Sequence, residues 1–489
     1  MNRISIALVL VGAAAAAGVM SSANSARHQA RGQTPAPLPV EATPASRENP
    51  FPEVRGHDGF WRIAKTRQGV WWFLSPQNRT EFLNGVTTVQ PALRGRDPRG
   101  PNYLSCDWDG RADQSSLATW AERTLARVQS MGFKNLGAWC NPVMHELAVP
   151  MTQDLNVWHW VPYDARLYSP DWKNSAELAI RDQAAPLREN RNLIGYYIDN
   201  ELNWDDDAVG PRVYFDQLPP TDPNRCEVVR VIRDTWSSVG AFNRDWNTTF
   251  HDWSELERHA KLPVGDKRGY DLLQGRWLTH YARSYFEITT SLIHKYDPNH
   301  LILGCRYRGW VPPEVPQGAR GLTDAQSLNY YASDALLDYN TFRSISQQAD
   351  QPVIVSEYTF HSLDGRSGNR NLSRFPGMVA DQSARATGYR EMTSRLARVP
   401  YVIGADWFQW MDEPPSGRLG DGEDANMGMV DIHDKPYEAL AAAVRTTTPA
   451  LNGLHAHSSL DNDLTVWRQP PPDARPTQLA GAAAELMAR

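Results

Sequence analysis

Short apolar runs bounded by polar or proline residues recur along the middle of the chain, at 81–86, 135–139, 157–161, 193–198, 301–305, 327–331, 353–355 and 402–407. Between them, apolar residues fall at helical spacing. Leu117, Trp120, Thr124, Leu125 and Val128 share one stripe in 116–131, and Trp277, Tyr281, Tyr285, Ile288 and Leu292 share one in 273–296. Nearly continuous apolar strands alternating with helices predict a parallel sheet covered on both faces, and eight such repeats predict closure into an α/β fold, the (β/α)8 TIM barrel. Chemistry in that architecture gathers at the C-terminal ends of the strands.

The pattern changes at both ends of the chain. Asn2 and Arg3 precede an apolar and small run over residues 4–20, and Ser21 to Ala26 are mostly small, so 1–26 reads as a secretory signal peptide. A retained membrane anchor fits less well, because the run is rich in Ala and Gly and ends in small residues. The predicted location is secreted or periplasmic. Residues 27–52, rich in Pro, Ala, Thr and Gln, read as a flexible tether. The barrel is expected over 53–445, with an insertion near 205–269 forming a lid or wall over the cleft. Residues 446–489, with Pro470, Pro471 and Pro472, read as a C-terminal coil extension.

Composition narrows the chemistry. Of 489 residues, 22% are charged and 41% hydrophobic, and 50 basic against 56 acidic side chains leave a net charge of −6. Such a chain has a core to bury and no bulk attraction for a phosphate backbone, so nucleic acid is not an expected partner. Four widely spaced cysteines without a C-x-x-C pair do not make a disulfide scaffold or a Cys-type zinc site, and Cys305 in its apolar run reads as a buried small hydrophobe. H-E-x-x-H, Walker, G-x-G-x-x-G and G-x-S-x-G motifs are missing, so neither a metal nor a cofactor is expected. The 18 tryptophans are an excess, and their flat apolar faces suit stacking against sugar rings.

Two carboxylates stand where a barrel would do chemistry. Asp199-Asn200-Glu201 follows the fourth run, and Ser356-Glu357 follows the seventh. A pair of carboxyl groups facing each other across a barrel mouth suits glycoside hydrolysis: one is ionised to attack the anomeric carbon, and the other holds a proton for the leaving oxygen. Each glutamate alone could be an ordinary strand-end surface residue. Together, with Asn200 before the first and apolar strands leading into both, they predict a site. Asp199, two residues before Glu201, is expected to take a structural hydrogen-bonding role.

Ile198-Asp199-Asn200-Glu201, Glu357 and the eight-run layout resemble the large clan A of retaining glycoside hydrolases. The likeness is closer to the β-agarases of family fifty and more distant to the β-galactosidases of family forty-two. It is carried over roughly residues 55 to 445 by Asp58-Gly59-Phe60-Trp61-Arg62, Gly137-Ala138-Trp139-Cys140-Asn141, Phe242-Asn243-Arg244-Asp245-Trp246 and Leu303-Gly304-Cys305-Arg306-Tyr307. The most specific stretch runs from Gly404 through Asp412-Glu413-Pro414 to Asn426-Met427-Gly428-Met429-Val430-Asp431.

The resemblance implies Glu201 as acid/base, Glu357 as nucleophile, and Asn200 as a hydrogen-bonding partner of the sugar 2-hydroxyl. Tyr330 or Tyr331 would hold the nucleophile. Arg306 would fix a carboxylate or a hydroxyl, or form a barrel-mouth salt bridge without function. Trp407 is favoured as a sugar platform, ahead of Trp410 and Trp139. The chain departs from the agarase pattern in three places. Thr359 stands where a His is expected, with His361 as a spatial substitute or a surface residue. Ala138 replaces an Asn on the second strand. Only a few dozen residues separate the tether from the first strand, so the family's N-terminal sandwich domain is not expected. The predicted partner is a β-linked galactan such as agarose. Two alternatives stand beside it: the same chemistry on another β-glycan or a simple β-galactoside, and a non-catalytic polysaccharide-binding barrel that keeps its tryptophans without needing both glutamates.

Overall fold

Leu83–Val86, the first barrel strand, pairs in parallel with Asn135–Leu136 on one side and Val402–Trp407 on the other. The computed structural model describes residues 50–372, 375–459 and 467–468; the expected signal peptide, the tether up to residue 49 and Pro470 to Pro472 lie outside them. From the first strand the sheet runs one way through Asn135–Leu136, Met151–Asp154, Leu193–Tyr197 and Leu301–Ile302. The other way it runs through Val402–Trp407, Val353–Tyr358, Gln326–Asn329 and Tyr307–Arg308. Both ends of this nine-stranded order belong to the fifth barrel strand, which is broken between Ile302 and Tyr307, so one interrupted strand pairs with the fourth and the sixth and closes the (β/α)8 barrel. The break is made by left-handed backbone at Gly304 (φ 83°) and Arg306 (φ 45°). A Cβ on Gly304 would stand 3.2 Å from the Cα of Gln326, so this position requires glycine for both conformation and space.

The third strand differs from the expectation. Residues 157–161, whose alternating Trp-His-Trp suggested a strand, form the short helix Val157–Trp160, and Met151–Asp154 is the strand. Asp154 ends that strand and its Oδ1 accepts from the backbone N–H of Asn156, which takes left-handed backbone (φ 46°) and turns the chain into the helix.

A four-stranded antiparallel sheet, Glu53–Arg55, Arg62–Lys65, Trp71–Leu74 and Thr80–Glu81, covers the N-terminal end of the barrel. Its contacts are with residues that lie just before barrel strands: Trp71 N–H donates to Pro400 O at 2.8 Å, and Arg191 Nη1 donates to Gly59 O at 2.6 Å. The segment after Thr446, expected as coil, enters the helix Leu451–Ala456 and packs at the same end. There the ring nitrogens of buried His455 lie 2.6 and 2.9 Å from the carbonyls of Trp71 and Ala397. With that end sealed, the C-terminal ends of the strands are left for a cleft.

The 205–269 insertion is a helical layer. Pro223–Thr235, Val239–Trp246 and Trp253–Arg258 begin at Asp222, Ser238 and Asp252, each accepting from a backbone N–H of the first turn. They pack with the long helix Lys267–Tyr296 through Trp236, Phe242, Trp246 and Trp277, all buried. Much of the tryptophan excess is therefore core. All four cysteines are unbridged, and among the described residues no helix is long and apolar enough to cross a membrane.

Candidate active site

Beyond the fourth strand the chain stays in register with its neighbour: Ile198 N–H donates to Gly304 O at 2.9 Å and Glu201 N–H to Arg306 O at 3.2 Å. This carries Glu201 to the mouth. Glu357 lies inside the seventh strand, Val353–Tyr358, which extends three residues beyond the apolar run 353–355 read from the sequence. Between the two sits Arg306, whose side chain is fully buried. Its Nη1 donates to Asp154 Oδ2 at 3.0 Å and to Asn200 Oδ1 at 2.9 Å, and its Nη2 pairs with Glu357 Oε1. The guanidinium carbon lies 5.0 Å from the centre of the Trp139 ring and 5.4 Å from that of Tyr197, so aromatic faces hold its plane.

Glu357 receives two more donors, Tyr331 Oη at 2.6 Å and Trp139 Nε1 at 3.2 Å. Three donors from three strand ends fix its orientation. Glu201 is held differently: Asn329 Nδ2 donates to its Oε1 at 2.9 Å, and Arg308 Nε lies 3.8 Å from its Oε2. Burial, and then the negative charge of Glu357, push the Glu201 carboxyl up to about 7. Burial and the nearby Glu357 likewise hold the Tyr331 phenol well above its ordinary value, so it remains a hydrogen-bond donor. Trp139, Glu201 and Arg306 all take left-handed backbone, at φ 65°, 51° and 45°. Such conformations are costly for these residue types and persist where the surroundings enforce them, commonly at functional sites.

The tyrosine ambiguity resolves on geometry. Tyr331 bonds Glu357, whereas Tyr330 Oη donates to Leu336 O and accepts from Asp338 N–H, away from the carboxylates. Tyr331→Phe removes a hydrogen bond to a charged group, worth about 1.5–3 kcal/mol, and is expected to lower kcat/KM by about 10–100-fold. Tyr330→Phe should leave kcat/KM within about 2-fold, and steady-state kinetics of the two variants checks the assignment.

Asn200 and Trp139 stand in the site, Trp139 as a donor to Glu357 rather than a bare platform. Trp407 and Trp410 are corrected as platforms: both are fully buried. Alternation on the eighth strand turns Asp406 into the barrel, where it accepts from Asn135, and turns Trp407 outward against Tyr358 and Tyr389. Trp410 lies under the Arg127 guanidinium of the helix Gln114–Ser130. His361 is buried, 3.1 Å from Asn371 Oδ1 and 3.0 Å from Phe375 O, and is neither a surface residue nor a partner of the carboxylates. Asp199 has the structural bonds expected of it, accepting from Tyr285 Oη at 2.6 Å and Trp158 N–H at 2.7 Å.

Sequence reasoning missed Asp154, Asn329 and Arg308. Asn329 ends the sixth strand and bonds both Asn200 and Glu201; a polar residue closing an apolar run was the available signal.

This geometry can be set beside known proteins. Beta-agarase B of Vibrio sp. (strain JT0107) is 27% identical over 351 residues, 67% of this chain and 36% of that protein. Beta-agarase A of the same strain is 25% identical over 88% of this chain and 48% of its own length. The chain is similar to β-agarases. It spans half or less of the curated relatives it matches. A solved structure described as an exo-beta-agarase superposes with a TM-score of 0.70 at 21% identity, covering 83% of this chain and 66% of that one, which agrees with the barrel fold. No family model matches the chain.

Proposed function

We propose that this protein is a retaining β-glycoside hydrolase acting on β-linked galactan such as agarose or its oligosaccharides. The observation that carries the reading is the asymmetry of the two glutamates: Glu201, raised to about 7, holds a proton near neutrality, while Glu357 is clamped by Arg306, Tyr331 and Trp139. In the first step the Glu357 carboxylate attacks the anomeric carbon as Glu201 gives its proton to the leaving oxygen. In the second, Glu201 takes a proton from water, which attacks the same carbon and releases Glu357. Each displacement inverts the centre, so the anomeric configuration is retained. The free donor side of the Asn200 amide, whose oxygen is held by Arg306 and Asn329, suits a sugar hydroxyl. The galactan assignment rests on similarity to β-agarases. The apolar run over 4–20 followed by small residues supports export of the chain.

The test is product release from agarose, other β-galactans and β-glucans, with the product anomer followed by NMR from the first turnovers. A β-anomeric product from a galactan is expected. An α-anomeric first product would overturn retention, and cleavage confined to β-glucans would overturn the substrate class.

The protonation state of Glu201 makes a second prediction. Its raised pKa means that the proton needed by the leaving group is present below about pH 7 and is lost above it, so kcat/KM is expected to fall on the alkaline side with an apparent pKa near 7. Arg308 lowers that pKa, and Arg308→Gln should move the alkaline limb upward, by less at high salt because its side chain is 61% exposed. pH–rate profiles at two ionic strengths check both signs.

A further inference from the structure

Of the 18 tryptophans, two are exposed, Trp160 at 49% and Trp310 at 50%. Both follow barrel strands on the C-terminal side, Trp160 after the third and Trp310 after the fifth. Trp310 stands in a short, tightly determined stretch. Arg308, two residues earlier, is the ion-pair partner of Glu201. Gly309 N–H donates to the backbone carbonyl of Asn329, the residue whose amide holds Glu201, and Trp310 N–H donates back to Arg308 O. Gly309 has φ 66°, and a Cβ there would meet nothing within 4 Å, so the chain runs beside open space as it passes Glu201.

A large apolar ring kept half in water beside a polar mouth calls for an occupant. Resting on the proposed assignment of Glu201 as the acid, we infer that Trp310 is the stacking platform for the leaving-group side of a polysaccharide chain. The acid must lie within hydrogen-bond reach of the leaving oxygen, so the sugar that departs lies on the Glu201 side of the cleavage point. The 308–310 stretch is wall on that side. Glycone contacts belong instead to the Glu357 side, where Tyr331 lies 5.5 Å from Phe375 and 6.4 Å from Phe408, ring centre to ring centre. A pyranose presents an apolar C–H face to Trp310 while its hydroxyls meet the exposed Arg308 guanidinium. This stacking makes the protein one that needs sugars on both sides of the bond.

The experiment compares Trp310→Ala and Trp310→Phe with wild type on two substrates: an agaro-oligosaccharide with several leaving-side residues, and a β-glycosyl fluoride with the same glycone, whose leaving group offers nothing to stack. The expected loss of kcat/KM for Trp310→Ala is about 10-fold greater on the oligosaccharide than on the fluoride, with Trp310→Phe regaining most of it. Equal losses on both substrates, or no loss on either, overturn the inference while leaving the hydrolase reading intact. Calorimetric binding of the oligosaccharide to Glu357→Ala with and without Trp310→Ala reads the same contact without turnover. If wild type cleaves neither substrate the hydrolase reading fails, and an affinity unchanged by Trp310→Ala then removes the platform as well.

Discussion

Glu357→Ala is expected to lower kcat on the preferred galactan by on the order of 10⁴–10⁶-fold, the scale seen when a covalent nucleophile is removed. Glu201→Ala should lower it by about 10²–10⁴-fold, the usual worth of a positioned acid. The two losses differ in kind. Without Glu201 the glycosyl-enzyme can still form when the leaving group is good, so the deficit should shrink on an activated aryl glycoside, whereas the Glu357→Ala deficit should not. Added azide separates the roles further. In Glu201→Ala it attacks the glycosyl-enzyme and gives the β-glycosyl azide; in Glu357→Ala it enters the space of the missing carboxylate and gives the α-azide. Rates and product anomers together check the assignment: exchange of the two anomers would reverse the roles, and full activity in either variant would remove that residue from the chemistry.

Although either alone could have been an ordinary strand-end residue, what was legible in the sequence was the pair: Glu201 and Glu357 each follow an apolar run. The barrel was legible for the same reason, through runs such as Leu193–Tyr197 and Val402–Trp407 that are buried on both faces. Legibility failed where the barrel interior is polar. Met151–Asp154 is a barrel strand with Thr152 and Asp154 buried, and Asp154 serves Arg306; with three of its four residues polar it gave no apolar signal, and the neighbouring Trp-His-Trp drew the assignment away. The fifth strand read as continuous because backbone angles such as φ 45° at Arg306 leave no mark in hydrophobicity. Trp407 misled through its neighbour: Asp406, which points into the barrel and is pushed up to about 7 by burial, was the informative residue, and the alternation placing Trp407 outward follows from it. The exposure of Trp310 had no sequence counterpart, since one tryptophan among 18 is recognisable as a rim residue only once most of the others are seen to be wholly or partly buried.

Arg306→Met is expected to cost both stability and turnover, and the two losses can be separated. The arginine is fully buried between Asp154 and Glu357, so its removal leaves two buried carboxyls without their cation, a class of change that costs about 3–5 kcal/mol. The denaturant midpoint should fall accordingly with little change in m. Asp154 is already raised to about 6 by burial, with Arg306 as the largest opposing influence, so Arg306→Met should raise it further. A carboxyl whose folded pKa lies above its unfolded value binds more protons in the native state, so its contribution falls as pH rises from the unfolded value near 4 through the folded one. The destabilisation of Arg306→Met should therefore be greater at pH 8 than at pH 5. Adding Asp154→Asn removes one of the stranded charges and should return part of the stability at pH 8. It should return no activity, because Glu357 still lacks its aiming contact and Asn200 its anchor. Arg306→Lys keeps a charge but presents one compact ammonium where three acceptors and two aromatic faces fit a planar fork, so it should recover stability ahead of turnover. Urea titrations at pH 5 and 8, run beside kcat/KM for the four proteins, test the separation. A double variant that regains turnover along with stability would show that Arg306 only neutralises charge, and would remove it from the positioning of Glu357.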